Sequence, residues 1–112
     1  MIKLYGIPNC DTIKKARNWL KDNKLDYEFH DYKKLGVPEK ELSSWVKQLG
    51  WETLLNKRGT TWRKLDDATK DSVDEASAIE IMMENPSIIK RPVLSKGKTL
   101  LVGFKAEEYA KL

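Results

Sequence analysis

The sequence of 112 residues contains one cysteine, Cys10, and one histidine, His30. One cysteine cannot form a disulfide within the chain, which excludes a fold held together by disulfides and favours a reducing compartment. One cysteine and one histidine provide too few ligands for a zinc site, so we expect no metal centre. We interpret His30, which lies inside a strand-like stretch, as a structural or surface residue with its hydrogen bonds satisfied.

Long apolar runs and basic clusters are also missing. No stretch approaches the roughly 18 apolar residues of a membrane span, and the beginning, MIKLYGIPNC, does not resemble a secretory signal. Residues 1–56 carry ten Lys or Arg against eight Asp or Glu, and residues 57–112 carry eleven against nine. This even spread argues against a nucleic-acid partner and fits small anionic ligands. We expect a cytoplasmic protein that binds neither nucleic acid nor membranes.

The apolar periodicity gives the order of elements. Residues 2–5 alternate as a strand, a helical stripe begins at Asp11, and residues 25–32 alternate again. Such a β–α–β unit has parallel strands. Near the end, the runs PVLS and TLLVG around KGK predict a hairpin, and a short helix follows in KAEEYAKL. The prediction is one α/β domain over residues 1–112, of order β–α–β … β–β–α, with a helical insert at about 34–88.

The insert contains two helical patterns. VPEKELSSWVKQLG places Pro38 at the first helical position, and SVDEASAIEIMMEN supplies the second helix. A short apolar piece, WETLL, lies between them, and NKRGTTWRKL after it is expected to be a polar loop over residues 56–65. Arg58 and the backbone amides of this loop can hold an anion. The alternative is a solvated connector.

Cys10 falls at the predicted start of the first helix, where backbone N–H groups have no intrahelical partner. These groups and the helix dipole stabilise a negative charge, so a cysteine there has a lowered pKa and acts as a thiolate nucleophile. Thr12 and the loop amides can add hydrogen bonds, and Lys14 lies on the same helical face. Asp11 opposes the effect with its negative charge. The alternative is a buried structural cysteine, because free cysteine packs well.

Arg91 and Pro92 come directly before the predicted hairpin. A proline at a strand start donates no ladder hydrogen bond, and the Arg-Pro bond is a candidate for the cis form. If the hairpin packs beside the first strand, Arg91 and Pro92 face the loop that holds Cys10. The planar guanidinium can then hold an oxyanion or a carboxylate. The alternative is a surface arginine before an ordinary edge-strand proline.

Taken together, YxxPNCDT after the first strand, LLNKRGTTWRKL, and NPxxIKRPV with a later GF resemble the arsenate reductase (ArsC)-like family. The sequence is most similar to its YffB-type branch, and the family is related to the Spx-type regulators. The resemblance covers the chain end to end. It implies a thioredoxin-like fold with a helical insert, a cis-proline at Pro92 and an active cysteine at Cys10. It also implies that Arg91 binds an oxyanion.

Several positions depart from the arsenate reductases. The resemblance places a family histidine at Gly6, a serine at Ile13 and an arginine at Gly103, and all three are absent here. Asn56 competes with Arg58 as the counterpart of another family arginine. A charge-assisted contact is worth on the order of 1.5–3 kcal/mol, so we expect inefficient arsenate reduction.

The resemblance therefore favours a glutathione-dependent thiol–disulfide oxidoreductase in which the Cys10 thiolate forms a mixed disulfide. It implies no tightly bound cofactor, glutathione as co-substrate, glutaredoxin or a protein disulfide as further partners, and a monomer. The alternatives are a glutathione- and glutaredoxin-coupled arsenate reductase and an Spx-like regulator that binds RNA polymerase. The residues expected to bind substrate or glutathione are Asn9, Thr12, Lys14, Arg58, Arg91 and Pro92.

Overall fold

The structure is a computed structural model that describes residues 1–112. In chain order its elements are β1 (Ile2–Gly6), α1 (Asp11–Asp22), β2 (Tyr27–Asp31), α2 (Tyr32–Leu35), α3 (Glu39–Leu49), α4 (Trp51–Leu54), α5 (Thr60–Arg63), α6 (Asp67–Asp71), α7 (Glu75–Glu84), a 3₁₀ turn (Pro86–Ile88), β3 (Val93–Lys96), β4 (Thr99–Val102) and α8 (Ala106–Tyr109). None of the helices is long and apolar enough to cross a membrane.

The four strands form one mixed sheet in the order β2–β1–β3–β4. β1 and β2 are parallel, with Gly6 opposite Asp31. β3 is antiparallel to both β1 and β4, and Val93 lies opposite Tyr5. The carboxyl ends of β1 and β2 and the amino end of β3 therefore meet at one edge of the sheet. The predicted α/β, thioredoxin-like fold with a helical insertion is confirmed.

The chain divides into two compact units, Met1–Leu35 with Arg91–Leu112, and Gly36–Lys90. In the first unit, α1 covers one face of the sheet because Ile13, Ala16 and Leu20 recur at helical spacing and are buried. The central cluster of this core consists of Ile2, Leu4, Ala16, Leu20, Leu94 and Tyr109. On β2, Tyr27 and Phe29 pack against this cluster together with Leu25, as the alternation of residues 25–32 requires.

The second unit contains α3 to α7 and the 3₁₀ turn. Its buried residues include Leu42, Trp45, Val46, Leu54, Leu55, Ala78, Met82, Ile88 and Ile89. The backbone N–H of Asn56 donates to the carbonyl of Ile88 at 2.8 Å. This hydrogen bond joins the segment after α4 to the 3₁₀ turn. The prediction that the whole chain forms a single domain with its insert at about 34–88 stays a prediction.

Two local predictions in this unit were wrong. The third helix begins at Glu39, so Pro38 is its N-cap instead of its first helical residue. The stretch 56–65 is not an irregular loop, because α5 forms at Thr60–Arg63, and α6 follows at Asp67–Asp71. A helix of four or five residues is too short to show an apolar period. The N-cap of α6 depends on a single side-chain contact, in which the N–H of Thr69 donates to the carboxylate of Asp66.

Candidate active site

Cys10 is the N-cap residue of α1, with φ −126° and ψ 130°. Its carbonyl accepts the first helical hydrogen bond, from the N–H of Lys14 at 3.0 Å. The thiol is partly exposed and free. The chain arrives here from β1 through a four-residue loop that contains Pro8, so the sulfur lies at the sheet edge where β1, β2 and β3 meet. The position combines solvent access with the unpaired N–H groups of a helix start.

Arg91 contributes a positive charge directly to this sulfur. Its Nε donates a hydrogen bond to Cys10 Sγ at 3.4 Å. The Arg91–Pro92 peptide bond is cis, and Val93 immediately after it pairs with Tyr5 of β1. The antiparallel pairing thus brings the amino end of β3 to the loop that follows β1. Pro92 is buried, and its carbonyl accepts the N–H of Gly103 at 2.9 Å.

The surroundings favour the thiolate form of Cys10. Burial raises the pKa of the thiol, but the hydrogen bond from Arg91, the N–H groups of Ile13 and Thr12, and the positive charge of Arg91 together hold it below its ordinary value. The sulfur makes no regular capping hydrogen bond, so these N–H groups act on it mainly as oriented dipoles. A thiolate beside a guanidinium is the form of cysteine that attacks electrophiles.

The other residues expected at the site lie in different settings. Thr12 is partly buried and acts on the sulfur through its backbone N–H. The side chains of Asn9 and Lys14 are exposed, and neither belongs to the groups that shift the pKa of Cys10. Arg58 belongs to the second unit, where its side chain is exposed and its N–H donates to Asn56 Oδ1 at 3.1 Å. Its binding role stays a prediction.

Gly6 and Ile13 fit each other beside Cys10. A Cβ built on Gly6 would collide with Ile13 Cδ1 and lie 3.2 Å from Ile13 Cγ1 and 3.6 Å from Arg91 Cβ. Ile13 is fully buried, so its δ-methyl group occupies the space that a side chain at position 6 would need. This part of the site is therefore apolar. Gly103 has φ +80°, a conformation that favours glycine over arginine.

An aromatic cluster lies at the same sheet edge and was missed by the sequence reasoning. The rings of Tyr5 and His30 are 5.2 Å apart, and those of His30 and Tyr32 are 5.9 Å apart. Tyr32 directly follows β2, and the positive charge of Arg91 acts on its phenol. The available signal was its position, because residues just after parallel strands gather at one edge.

The lowered pKa of Cys10 leads to a measurable pH profile. Alkylation of the native protein by iodoacetamide should reach half its maximal rate at a lower pH than alkylation of the same cysteine in urea. The stability that the thiolate contributes is fully present above the unfolded pKa and is lost as the pH falls through the folded pKa. Identical midpoints for the folded and unfolded chains would show that the site does not activate the thiol.

Comparison with known proteins supports this description. An uncharacterized protein of Haemophilus influenzae is 45% identical over 109 residues, which are 97% of this chain and 96% of that protein. The global transcriptional regulator Spx of Streptococcus pyogenes is 29% identical over 111 residues, covering 96% of this chain and 81% of Spx. The similarity therefore extends over nearly the whole chain in both cases.

Solved structures show the same backbone. A YffB protein is 54% identical, with a TM-score of 0.95 over 99% of this chain and 97% of its own. An arsenate reductase (ArsC) related protein from Brucella melitensis is 51% identical, with a TM-score of 0.79 over 98% and 92%. The ArsC family itself matches residues 5–112. With the cysteine loop, the cis-proline and the sheet order in place, this match shows that the chain belongs to the ArsC family.

Proposed function

We propose that the protein is a glutathione-dependent thiol–disulfide oxidoreductase. The Cys10 thiolate attacks one sulfur of a disulfide, a new S–S bond forms, and the other sulfur leaves as a thiolate. A glutathione thiolate then attacks the mixed disulfide and releases Cys10 in its original form. The second step needs glutathione because the chain has no other cysteine that could resolve the intermediate.

One observation carries this proposal: Arg91 Nε donates to Cys10 Sγ at 3.4 Å while the sulfur stays partly exposed at the start of α1. The guanidinium stabilises the thiolate before attack. It also offers N–H donors to a carboxylate of glutathione, which carries a net negative charge. No tightly bound cofactor is needed, because glutathione supplies the reducing thiol.

The apolar side of the site favours a sulfur substrate over arsenate. Gly6 and Ile13 stand where the family resemblance places a histidine and a serine, and here they pack against each other. Gly103 stands where the resemblance places an oxyanion-binding arginine, and its positive φ suits glycine. An arsenate ion would lose polar contacts at these positions, whereas a disulfide sulfur needs none there.

The proposed setting follows from the same chemistry. A glutathione-linked reductase works in the reducing cytoplasm, where its partners are glutathione and either glutaredoxin or a protein disulfide. We propose that it acts as a monomer and uses neither nucleic acid nor membrane, in keeping with its evenly spread charge.

Intact-mass measurement after exposure to oxidised glutathione tests the proposal. The native protein should gain one glutathione at Cys10 several-fold faster than the urea-unfolded chain at pH 7. A tenfold gain in thiolate fraction yields roughly threefold in rate, because a more acidic thiolate is a weaker nucleophile. Reduced glutathione should then remove the adduct, and Cys10→Ser should form none. A native thiol that reacts no faster than the unfolded one would refute the proposal.

Arsenate reduction is the second candidate, because a 51% identical protein is described as arsenate reductase related and the Cys10–Arg91 pair can also hold an oxyanion. Turnover of arsenate with glutathione and glutaredoxin, abolished by Cys10→Ser, would favour it over the first proposal.

A regulatory role is the third candidate, since the Spx proteins are 29% identical. The resemblance puts the second cysteine of their C-x-x-C switch at Ile13, so that switch is missing. Retention of RNA polymerase on immobilised protein would favour this role.

A further inference from the structure

The hydroxyl of Tyr32 is buried without a hydrogen-bond partner. The residue is only 2% exposed, so bulk solvent does not reach the hydroxyl. A buried polar group left in this state costs free energy. Most such groups in proteins are satisfied, and an exception near a reactive residue requires an explanation. Tyr109 has a hydroxyl in the same state, so the position of Tyr32 beside the reactive cysteine is what distinguishes it.

Its location connects Tyr32 to the active site. It follows Asp31, which lies opposite Gly6 at the sheet edge that carries Cys10. Its ring packs edge-on against His30 at 5.9 Å. Burial raises the pKa of Tyr32 well above its ordinary range, and the charge of Arg91 acts on it in the opposite direction. A Cβ on Gly6 would lie 3.6 Å from Arg91 Cβ, and Gly6 lies opposite Asp31, the residue before Tyr32. Arg91 and Tyr32 therefore flank the same pair of residues at this end of the sheet, and the phenol is neutral.

The proposed reaction changes what Arg91 faces. In the resting protein its Nε donates to the Cys10 sulfur. When the thiolate attacks oxidised glutathione, the Cys10–glutathione S–S bond forms, the original S–S bond breaks, and one glutathione thiolate leaves with the negative charge. Cys10 then carries a neutral disulfide sulfur, which is a weak acceptor for a charged donor.

We propose that Tyr32 is a positioning residue for Arg91, and that its hydroxyl accepts a hydrogen bond from Arg91 once Cys10 has formed a mixed disulfide. The hydroxyl that is unpaired in the resting state is paired in the intermediate. Tyr32 thereby stabilises the mixed disulfide relative to the thiolate. This inference rests on the proposed function for its natural reaction, but the exchange of acceptors follows any neutralisation of Cys10.

The test measures the equilibrium constant for mixed-disulfide formation in buffers of reduced and oxidised glutathione, by intact mass. Tyr32→Phe should lower this constant roughly tenfold, as expected for the loss of one hydrogen bond to a charged group. Tyr109→Phe is the matched control, because its hydroxyl is also buried and unpaired but packs near Trp19 and Phe104. It should leave the constant within twofold.

Dependence on Arg91 separates positioning from general packing. In an Arg91→Ala background, Tyr32→Phe should have no further effect on the constant. Both phenylalanine variants should melt at least as high as the wild type when reduced, because each loses an unsatisfied hydroxyl. An unchanged constant in Tyr32→Phe, or an equal drop without Arg91, would overturn the proposal.

A second reagent keeps this test independent of glutathione. Methyl methanethiosulfonate converts the Cys10 thiolate to a methyl disulfide and releases methanesulfinate. This cap should lower the melting temperature of Tyr32→Phe more than that of wild type or Tyr109→Phe. If the wild type takes no glutathione, the proposed function fails, and the capped proteins still decide the role of Tyr32. Equal shifts in all three proteins would refute that role.

Discussion

Arg91→Ala is expected to lower the thiolate fraction of Cys10 about fivefold at pH 7 and so to slow its reaction with oxidised glutathione about twofold. The variant loses the Nε donor that lies 3.4 Å from Sγ and the positive charge behind it. A charge-assisted hydrogen bond is worth about 1.5–3 kcal/mol when buried, and solvent around this partly exposed sulfur reduces that to about 1 kcal/mol. Stopped-flow kinetics with mass detection of the adduct gives the rate.

The pH profile identifies the cause of the slower rate. Without the arginine, the pKa of Cys10 should rise towards its ordinary value, so the alkylation midpoint should move to higher pH. Lys96→Ala is the matched control, because it removes the same charge from an exposed position at the other end of β3. Arg91→Lys should restore part of the rate through its charge alone. An Arg91→Ala variant with wild-type rate and midpoint would show that the pair has no role in activating the thiol.

The fold was predictable where the signal was local and periodic. The β–α–β unit follows from alternation in β1 and β2 and from the apolar stripe of α1. The KGK turn, with Gly97 at φ +56°, gives the hairpin. The short helices α5 and α6 were not predictable, because four or five residues show no period and depend on tertiary packing for their stability.

The features of the site also divide into those that the sequence predicts and those that depend on tertiary packing. Cys10 at a helix start and Arg-Pro before a strand are sequence features, and the sheet topology explains why both lie at one edge. The fit between Gly6 and Ile13 is not a sequence feature, because it depends on the exact path of α1 past the end of β1. The unpaired hydroxyl of Tyr32 is likewise visible only when every neighbour is placed. Side-chain complementarity between distant positions therefore marks the limit of the sequence reasoning.

The same fit predicts the consequence of adding a single methyl group. Gly6→Ala should destabilise the protein by about 1–3 kcal/mol, the usual cost of overpacking a core, because the new Cβ collides with the buried Ile13 side chain. Gly6 does not have a positive φ, so the penalty is steric and does not come from the backbone conformation. Urea unfolding followed by tryptophan fluorescence measures the free energy of unfolding.

Ile13→Val provides the decisive partner variant, because it removes the Cδ1 methyl group that blocks position 6. Alone it should cost about 0.5–1.5 kcal/mol. Combined with Gly6→Ala it should cost clearly less than the sum of the two single variants, since Ile13→Val frees the space that the new Cβ at position 6 occupies. Strict additivity would mean that the two residues do not compete for the same space. Coupling, in contrast, would show that a side chain at position 6 needs a smaller residue at position 13. The apolar side of the Cys10 site would then be a jointly fixed feature of this chain, which is the feature that the proposed preference for a sulfur substrate depends on.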